Sequence, residues 1–148
     1  MARVRTVPLV WILLLSSALA ASADDAADAR AGRTLYENHC ALCHGDGGKG
    51  DGPLAGELKV PPADLTGIAQ RRAGAFPEVE LAEIIDGRRP VRGHGGGEMP
   101  VWGRALGWNV ADPKAREAAV HDQVQKLVAY LRSIQLGPQH TVGELDAR

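Results

Sequence analysis

Apolar residues along this chain fall into three rhythms, and each predicts a different kind of segment. The first is a nearly continuous block from Val7 to Leu15, broken only by Pro8 and preceded by Arg3 and Arg5. Ser16 and Ser17 follow, and then small residues ending in Ala21-Ser22-Ala23. A basic start, a short apolar stretch and an A-x-A-like end make residues 1–23 a secretory signal peptide, with the mature chain beginning at Asp24. The competing reading is an uncleaved membrane anchor, because Val7 to Ala23 approaches the length of a span. The serine interruptions and the small-residue site favour cleavage.

The second rhythm is helical. A helix is predicted over Ala26–His39, with Asp24, Asp25 and Asp28 near its start, where carboxylates suit the dipole. Leu35 and Tyr36 near its end face the core, and Gly32 leaves room for a close approach. Shorter helices are predicted at Thr66–Arg72 and Pro77–Asp86. In the latter, Leu81, Ile84 and Ile85 share a face and Gly87 supplies the stop. The longest helix begins at Asp112-Pro113, a cap residue followed by proline at the first helical position. It carries Val120, Val124, Leu127, Val128, Leu131 and Ile134 on one side, and Gly137-Pro138 is its predicted end.

The third rhythm is none at all. Gly45 to Pro62 and Gly93 to Gly97 are glycine-rich and aperiodic, hence loops. No alternating run of strand length and no internal repeat occurs. The predicted fold class is all-α with long loops.

Composition narrows the class further. Taking 23 residues from 148 leaves 125, enough for one domain, 24–148, and too few for two cores. The signal holds two of the seventeen basic residues and none of the eighteen acidic ones, so the mature net charge is −3. That leaves no general basic excess, and nucleic acid is not an expected partner. Outside the signal the aromatics are only Tyr36, Phe76, Trp102, Trp108 and Tyr130. A core this thin gains stability if a large apolar ring fills its centre.

Cys40-Ala41-Leu42-Cys43-His44 names such a ring. Two thiols three residues apart can add to the two vinyl groups of a haem, and the following imidazole then lies where it can bind iron. The alternatives are a redox dithiol, a zinc half-site, or a disulfide beside an incidental histidine. The dithiol lacks its βαβ setting, and the zinc site lacks a second ligand pair. A thioether is inert to the oxidising compartment that export implies. The other axial ligand is expected from Met99, the one methionine of the mature chain. A thioether is a soft neutral donor. Met99 lies between a polyglycine loop and Pro100, outside any apolar periodic run, where a core filler would not be expected. His94, in the same loop, is the rival ligand, and bis-histidine ligation would lower the potential. His39 adjoins Cys40 and is aimed away from the iron. His121 reads as a helix-surface residue.

On these residues the chain resembles the class I monohaem cytochromes c of the bacterial exported type, from Ala31 to about Leu136. Gly32-Arg33-Thr34-Leu35-Tyr36 resembles that family's first helix, and Leu127-Val128-Ala129-Tyr130-Leu131-Arg132 its last. The resemblance implies the cytochrome c fold: three to five helices and long loops around one haem c, bound through Cys40 and Cys43. It implies a close crossing of first and last helices at Gly32 and Tyr130. It also implies that the Gly52-Pro53-Leu54 segment gives a carbonyl to the His44 ring N–H, and that Met99-Pro100 with Trp102 forms the distal loop. Its function would be one-electron transfer in the periplasm between redox proteins, as a monomer or a subunit of a dehydrogenase or oxidase complex, not as an enzyme. Membrane contact would come through such a partner. The alternative is a gas- or peroxide-reactive haem with an open or histidine-bound sixth position.

Two departures stand out. Lysines are few (Lys49, Lys59, Lys114 and Lys126), so docking through a lysine ring is doubtful. Arg71, Arg72, Arg88, Arg89 and Arg92 form a local basic excess instead, readable as a docking patch, a clamp on haem propionates, or a solvated face. The stretch from Trp102 to Asp112 is longer than in minimal members and has no assigned role.

Overall fold

The computed structural model describes residues 10–89 and 101–137, with side chains from Asp24 onward. Among them are five α-helices and no strand: α1 (Val10–His39), α2 (Ala41–His44), α3 (Glu78–Asp86), α4 (Trp102–Ala105) and α5 (Pro113–Ser133). Two 3-10 turns, Ala55–Glu57 and Gln70–Arg72, interrupt the loops. The expected all-α class is what forms.

The first helix is longer than expected, running back through Ala23 to Val10. Between Val10 and Ala31 there is neither glycine nor proline to stop it, and leucine and alanine are strong helix formers. No helix among the described residues is long and apolar enough to cross a membrane.

The architecture rests on α1 packing against α5. On α1 the contact face is Gly32, Leu35 and Tyr36; on α5 it is Val124, Leu127, Val128 and Leu131, all buried. The three-and-four spacing of both sets gives each helix one apolar stripe. Burying each large side chain contributes about 1.5–3 kcal/mol. Gly32 is where the helices meet. A Cβ there would lie 1.8 Å from the Lys126 carbonyl oxygen and 3.0 Å from Tyr130 Cβ. One turn on, the Tyr36 and Tyr130 rings are 5.0 Å apart and tilted, a favourable aromatic geometry.

The start of α5 forms as its sequence dictates. Asp112 Oδ1 accepts the Ala115 N–H at 2.7 Å, and Pro113 occupies the first turn. Its end departs from expectation: the helix stops at Ser133, before Gly137-Pro138. Gln135 is the reason. This buried side chain donates to the Leu131 and Leu65 carbonyls, each at 2.7 Å, and accepts the Ala69 N–H at 2.9 Å. It thereby ties the end of α5 to the 65–69 loop, and Leu136 N–H follows by donating to Thr66 O at 2.9 Å. The same bonds explain why only the 3-10 turn Gln70–Arg72 forms within the predicted Thr66–Arg72 helix. The Ala69 N–H is engaged by Gln135, and Asp64 Oδ1 holds Thr66 in a tight turn at 2.8 Å. Gln135→Leu conserves volume but strands three backbone groups. We expect it to lower unfolding free energy by about 3 kcal/mol, read as an earlier denaturation midpoint with unchanged m-value. A loss below about 0.5 kcal/mol would show that the staple is dispensable.

α3 forms over Glu78–Asp86, with Ala82 and Ile85 buried and Gly87 in the left-handed conformation at its end (φ 89°). The Trp102–Asp112 stretch, unassigned from sequence, acquires a packing role. α4 lies so close to the end of α3 that a Cβ at Gly103 would sit 2.5 Å from Asp86 O. Leu106 is buried behind it, and the Leu106 carbonyl accepts from Gln123 of α5 at 3.2 Å. Trp108 is 82% exposed.

Candidate functional site

Cys40, Cys43 and His44 are brought to one side by a single helical turn. His44 N–H bonds to Cys40 O at 2.9 Å and Cys43 N–H to the same oxygen at 3.1 Å, so α2 follows α1 after a turn at Cys40. At i, i+3 and i+4 the two sulfurs and the imidazole share one face. Leu42, the odd residue out, is 56% exposed. Tyr36 braces the motif from α1: its buried hydroxyl donates to Gly45 O at 2.6 Å. Burial drives the Tyr36 phenol far above its ordinary value, so it is the proton-bearing donor at any working pH.

The His44 ring is 4% exposed, and its Nδ1 lies 3.0 Å from the Ala63 carbonyl oxygen. A carbonyl only accepts, so Nδ1 carries the proton and the lone pair stays on Nε2, the arrangement a metal-bound histidine needs. Burial lowers the imidazole's pKa, with the Ala63 bond opposing it. The ring is therefore kept neutral, the form that coordinates metal. The partner is not the one expected. Gly52-Pro53-Leu54 serves instead to seal the motif: Gly52 N–H donates to Cys43 O at 3.1 Å and Leu54 N–H to Leu42 O at 3.0 Å. A Cβ at Gly52 would lie 2.6 Å from both those carbonyls, so the segment packs tightly against α2 and its N–H groups cap it. The imidazole is reached by Ala63, directly after Pro61-Pro62. Two consecutive prolines hold the chain extended and present that carbonyl.

Cys40 and His44 open onto a cavity of about 330 Å³, within the range of roughly 300–1,000 Å³ typical of cofactor sites. Leu65, Ile68, Leu81, Ile85, Leu127 and Leu131 furnish its apolar walls, and Arg71, Arg72 and Glu80 its polar border. Burial, with help from Cys43, pushes the Cys40 thiol up to about 12. Such a sulfur is stable there uncharged, as a thiol or a thioether, rather than as a thiolate. Trp102 also lines the cavity, and its indole Nε1 is buried without a hydrogen-bond partner among the described residues. An apolar cavity with a cationic border, an orphaned N–H and a neutral imidazole fits a haem: an apolar macrocycle with two carboxylates and a central metal. The described residues contain no cluster of three or more acidic, histidine or cysteine side chains able to hold a metal ion without a macrocycle.

The other candidates sort as follows. Met99, His94 and Arg92 lie outside the described residues. His39 is exposed, and its ring lies tilted against Trp102 with centroids 5.2 Å apart. His121 is exposed on α5. Three arginines of the basic cluster have acidic partners: Arg72 grips Glu80 at 2.7 and 2.8 Å, Arg88 pairs with Asp86 at 2.6 Å, and Arg89 lies 3.7 Å from Glu80 and 4.0 Å from Glu83. Those three form an ion-paired face. Sequence reasoning missed the Ala63 carbonyl and Gln135. The signals were present in part, as the Pro61-Pro62 pair and as a polar residue in step with Leu127 and Leu131 on the core stripe.

Comparison with known proteins agrees with this geometry. The family model described as cytochrome c matches residues 29–135. Over 82 residues the chain is 33% identical to the cbb3-type cytochrome c oxidase subunit CcoP of Azospirillum brasilense. That alignment covers 55% of this chain and 24% of the relative, so the chain spans about a quarter of the relative's length. No solved structure matches the chain.

Proposed function

The chain belongs to the cytochrome c family, and on that premise we propose that it is an exported one-electron carrier whose haem iron is held between His44 and Met99. Covalent haem c at the C-x-x-C-H motif and haem-based electron transfer follow from the family. When bound, the haem supplies a one-electron ferrous–ferric couple. Cys40 and Cys43 would hold it by thioethers, each thiol giving its sulfur to one carbon of a vinyl group and its hydrogen to the other, with no net oxidation. The observation that carries the reading is the oriented His44 ring, its Nδ1 at 3.0 Å from Ala63 O, on the wall of an apolar cavity. The protein's task there is to hold Nε2 in place, exclude water and keep reorganisation small.

Met99 would supply the second ligand to the iron, and with His44 and Met99 both holding it the haem would carry electrons rather than bind a substrate. Met99→Ala in the haem-loaded protein is expected to abolish the weak sulfur-to-iron absorption band and to lower the midpoint potential. An unchanged spectrum would sink the axial assignment and return the sixth position to His94 or to an exogenous ligand.

Residues 1–23 act as a cleaved export signal, so that attachment occurs in the periplasm; a mature mass beginning at Asp24 tests this. The partner is a redox protein. The oxidase-subunit name of the relative supports a respiratory chain partner or a place within such a complex.

A further inference from the structure

The carbonyl that orients His44 belongs to a strap, Ala63-Asp64-Leu65, that is held from several directions. Ala63 O lies 3.0 Å from the His44 Nδ1. Two residues on, Leu65 N–H donates to Gly48 O at 2.6 Å, and Leu65 O accepts from the Gln135 amide at 2.7 Å. Between them, the Asp64 main-chain oxygen accepts from Arg71 Nη2 at 2.6 Å. The Asp64 carboxylate takes the Thr66 hydroxyl and N–H at 2.7 and 2.8 Å. Those bonds hold its carboxyl below the ordinary range, and the Arg71 charge adds to them. The strap also lies close on the loop that follows the motif: a Cβ at Gly50 would sit 2.4 Å from Pro62 O.

Most of these ties are near in sequence, to the motif or to the strap itself. Gln135 stands apart. It reaches the strap from just past the end of α5, 70 positions along the chain, and is 9% exposed. Its amide nitrogen also donates to Leu131 O, and its oxygen takes the Ala69 N–H. One side chain therefore registers the strap against α5, whose Leu127 and Leu131 wall the cavity. A buried polar network that is fully satisfied fixes one arrangement, where an apolar side chain would only fill space.

We propose that Gln135 is a positioning residue for the His44 imidazole: through Leu65 it holds Ala63 O against the Nδ1–H, and so sets how strongly His44 donates to the iron. The assignment rests on the haem reading above. A ligand histidine is more basic when its other ring nitrogen donates to a firmly held acceptor. A more basic ligand favours ferric over ferrous iron, so a slack strap raises the midpoint potential.

The test is Gln135→Met, similar in length but without the amide, in haem-loaded protein, with Gln135→Leu beside it. The His44 Nδ1 proton resonance of the reduced protein is expected to move upfield, as an N–H proton does when its hydrogen bond lengthens. The ferrous-to-ferric ratio at a fixed potential is expected to rise, by up to about tenfold. Both are properties of the folded molecule, which a loss of global stability alone does not move. Thr66→Val leaves Gln135 in place, removes one Asp64 bond, and is expected to move both readouts the same way by less. Lowered stability with either readout at its wild-type value in the Gln135 variants overturns the proposal, as does a fall in potential. A Thr66→Val protein with both readouts unmoved overturns the strap as the route. Wild-type protein without covalent haem overturns the haem reading itself, which haem-loaded variants with unmoved readouts would leave standing.

Discussion

Replacing Cys40 and Cys43 together by serine is expected to abolish covalent haem and, with it, the cooperative fold. The first part follows from chemistry: a serine hydroxyl does not form the thioether. The second follows from magnitude. The cavity behind the motif is about 330 Å³, and empty core volume costs about 24 cal/mol per Å³, or about 8 kcal/mol here. A domain of this size is stable by only about 5–15 kcal/mol in total. The same core is poor in aromatics, so little else compensates. The expected result is a haem stain lost on a denaturing gel, and a far-UV spectrum that melts without a sharp transition. Haem that survives denaturation in the double variant would overturn the attachment residues. A sharp, haem-free unfolding transition would show that the apolar walls collapse onto one another and that the cavity is not carried by the haem.

The second large effect is expected at Gly32, far from any chemistry. Gly32→Ala adds one methyl to an α1 position where alanine would ordinarily gain about 1 kcal/mol of helix propensity. Here that methyl would sit 1.8 Å from Lys126 O and 2.5 Å from Lys126 C. Carbon–oxygen contacts run at about 3.3–3.6 Å, so the helices must part by about 1.5 Å or α1 must bend. Separation opens the Tyr36–Tyr130 contact and loosens the stripe of Val124, Leu127 and Leu131, two of which also wall the cavity. A net loss of about 3 kcal/mol or more is expected. Denaturant titration of the haem-loaded protein measures it, and Gly32→Val is expected to be worse. A neutral or stabilising Gly32→Ala would mean that the crossing is not as close as this geometry requires. Because the glycine touches neither the motif nor the iron, the absorption spectrum of whatever fraction folds is expected to be unchanged.

Both effects show where sequence patterns speak and where they stop. Gly32 stood out in the chain as room for a close approach, but what approaches it, the Lys126 carbonyl, is 94 positions away. The caps at Asp112-Pro113 and Gly87 were legible because capping is local: the bonds that close them join residues no more than six apart. The end of α5 was misread for the opposite reason. Gly137-Pro138 is a good local stop, yet Gln135 finds partners at Leu65 and Ala69 and closes the helix a turn early. The proximal carbonyl shows the same division. Resemblance pointed to Gly52-Pro53-Leu54, but the Gly52 and Leu54 N–H groups of that segment cap α2, and the Ala63 carbonyl is what lies 3.0 Å from the ring Nδ1.

By itself, then, the sequence determined what is fixed over a few residues. It settled the two sulfurs and imidazole on one helical turn, the amphipathic stripes, the caps, the glycine loops and hence the all-α class. Thiol spacing and hydrophobic period are properties of neighbouring residues, and no distant contact can alter them. Only the tertiary structure decided which carbonyl orients His44, where α5 ends, and which of two adjacent arginines grips Glu80. Each of those depends on a competition among donors and acceptors far apart in the chain, and burial removes water as the alternative partner.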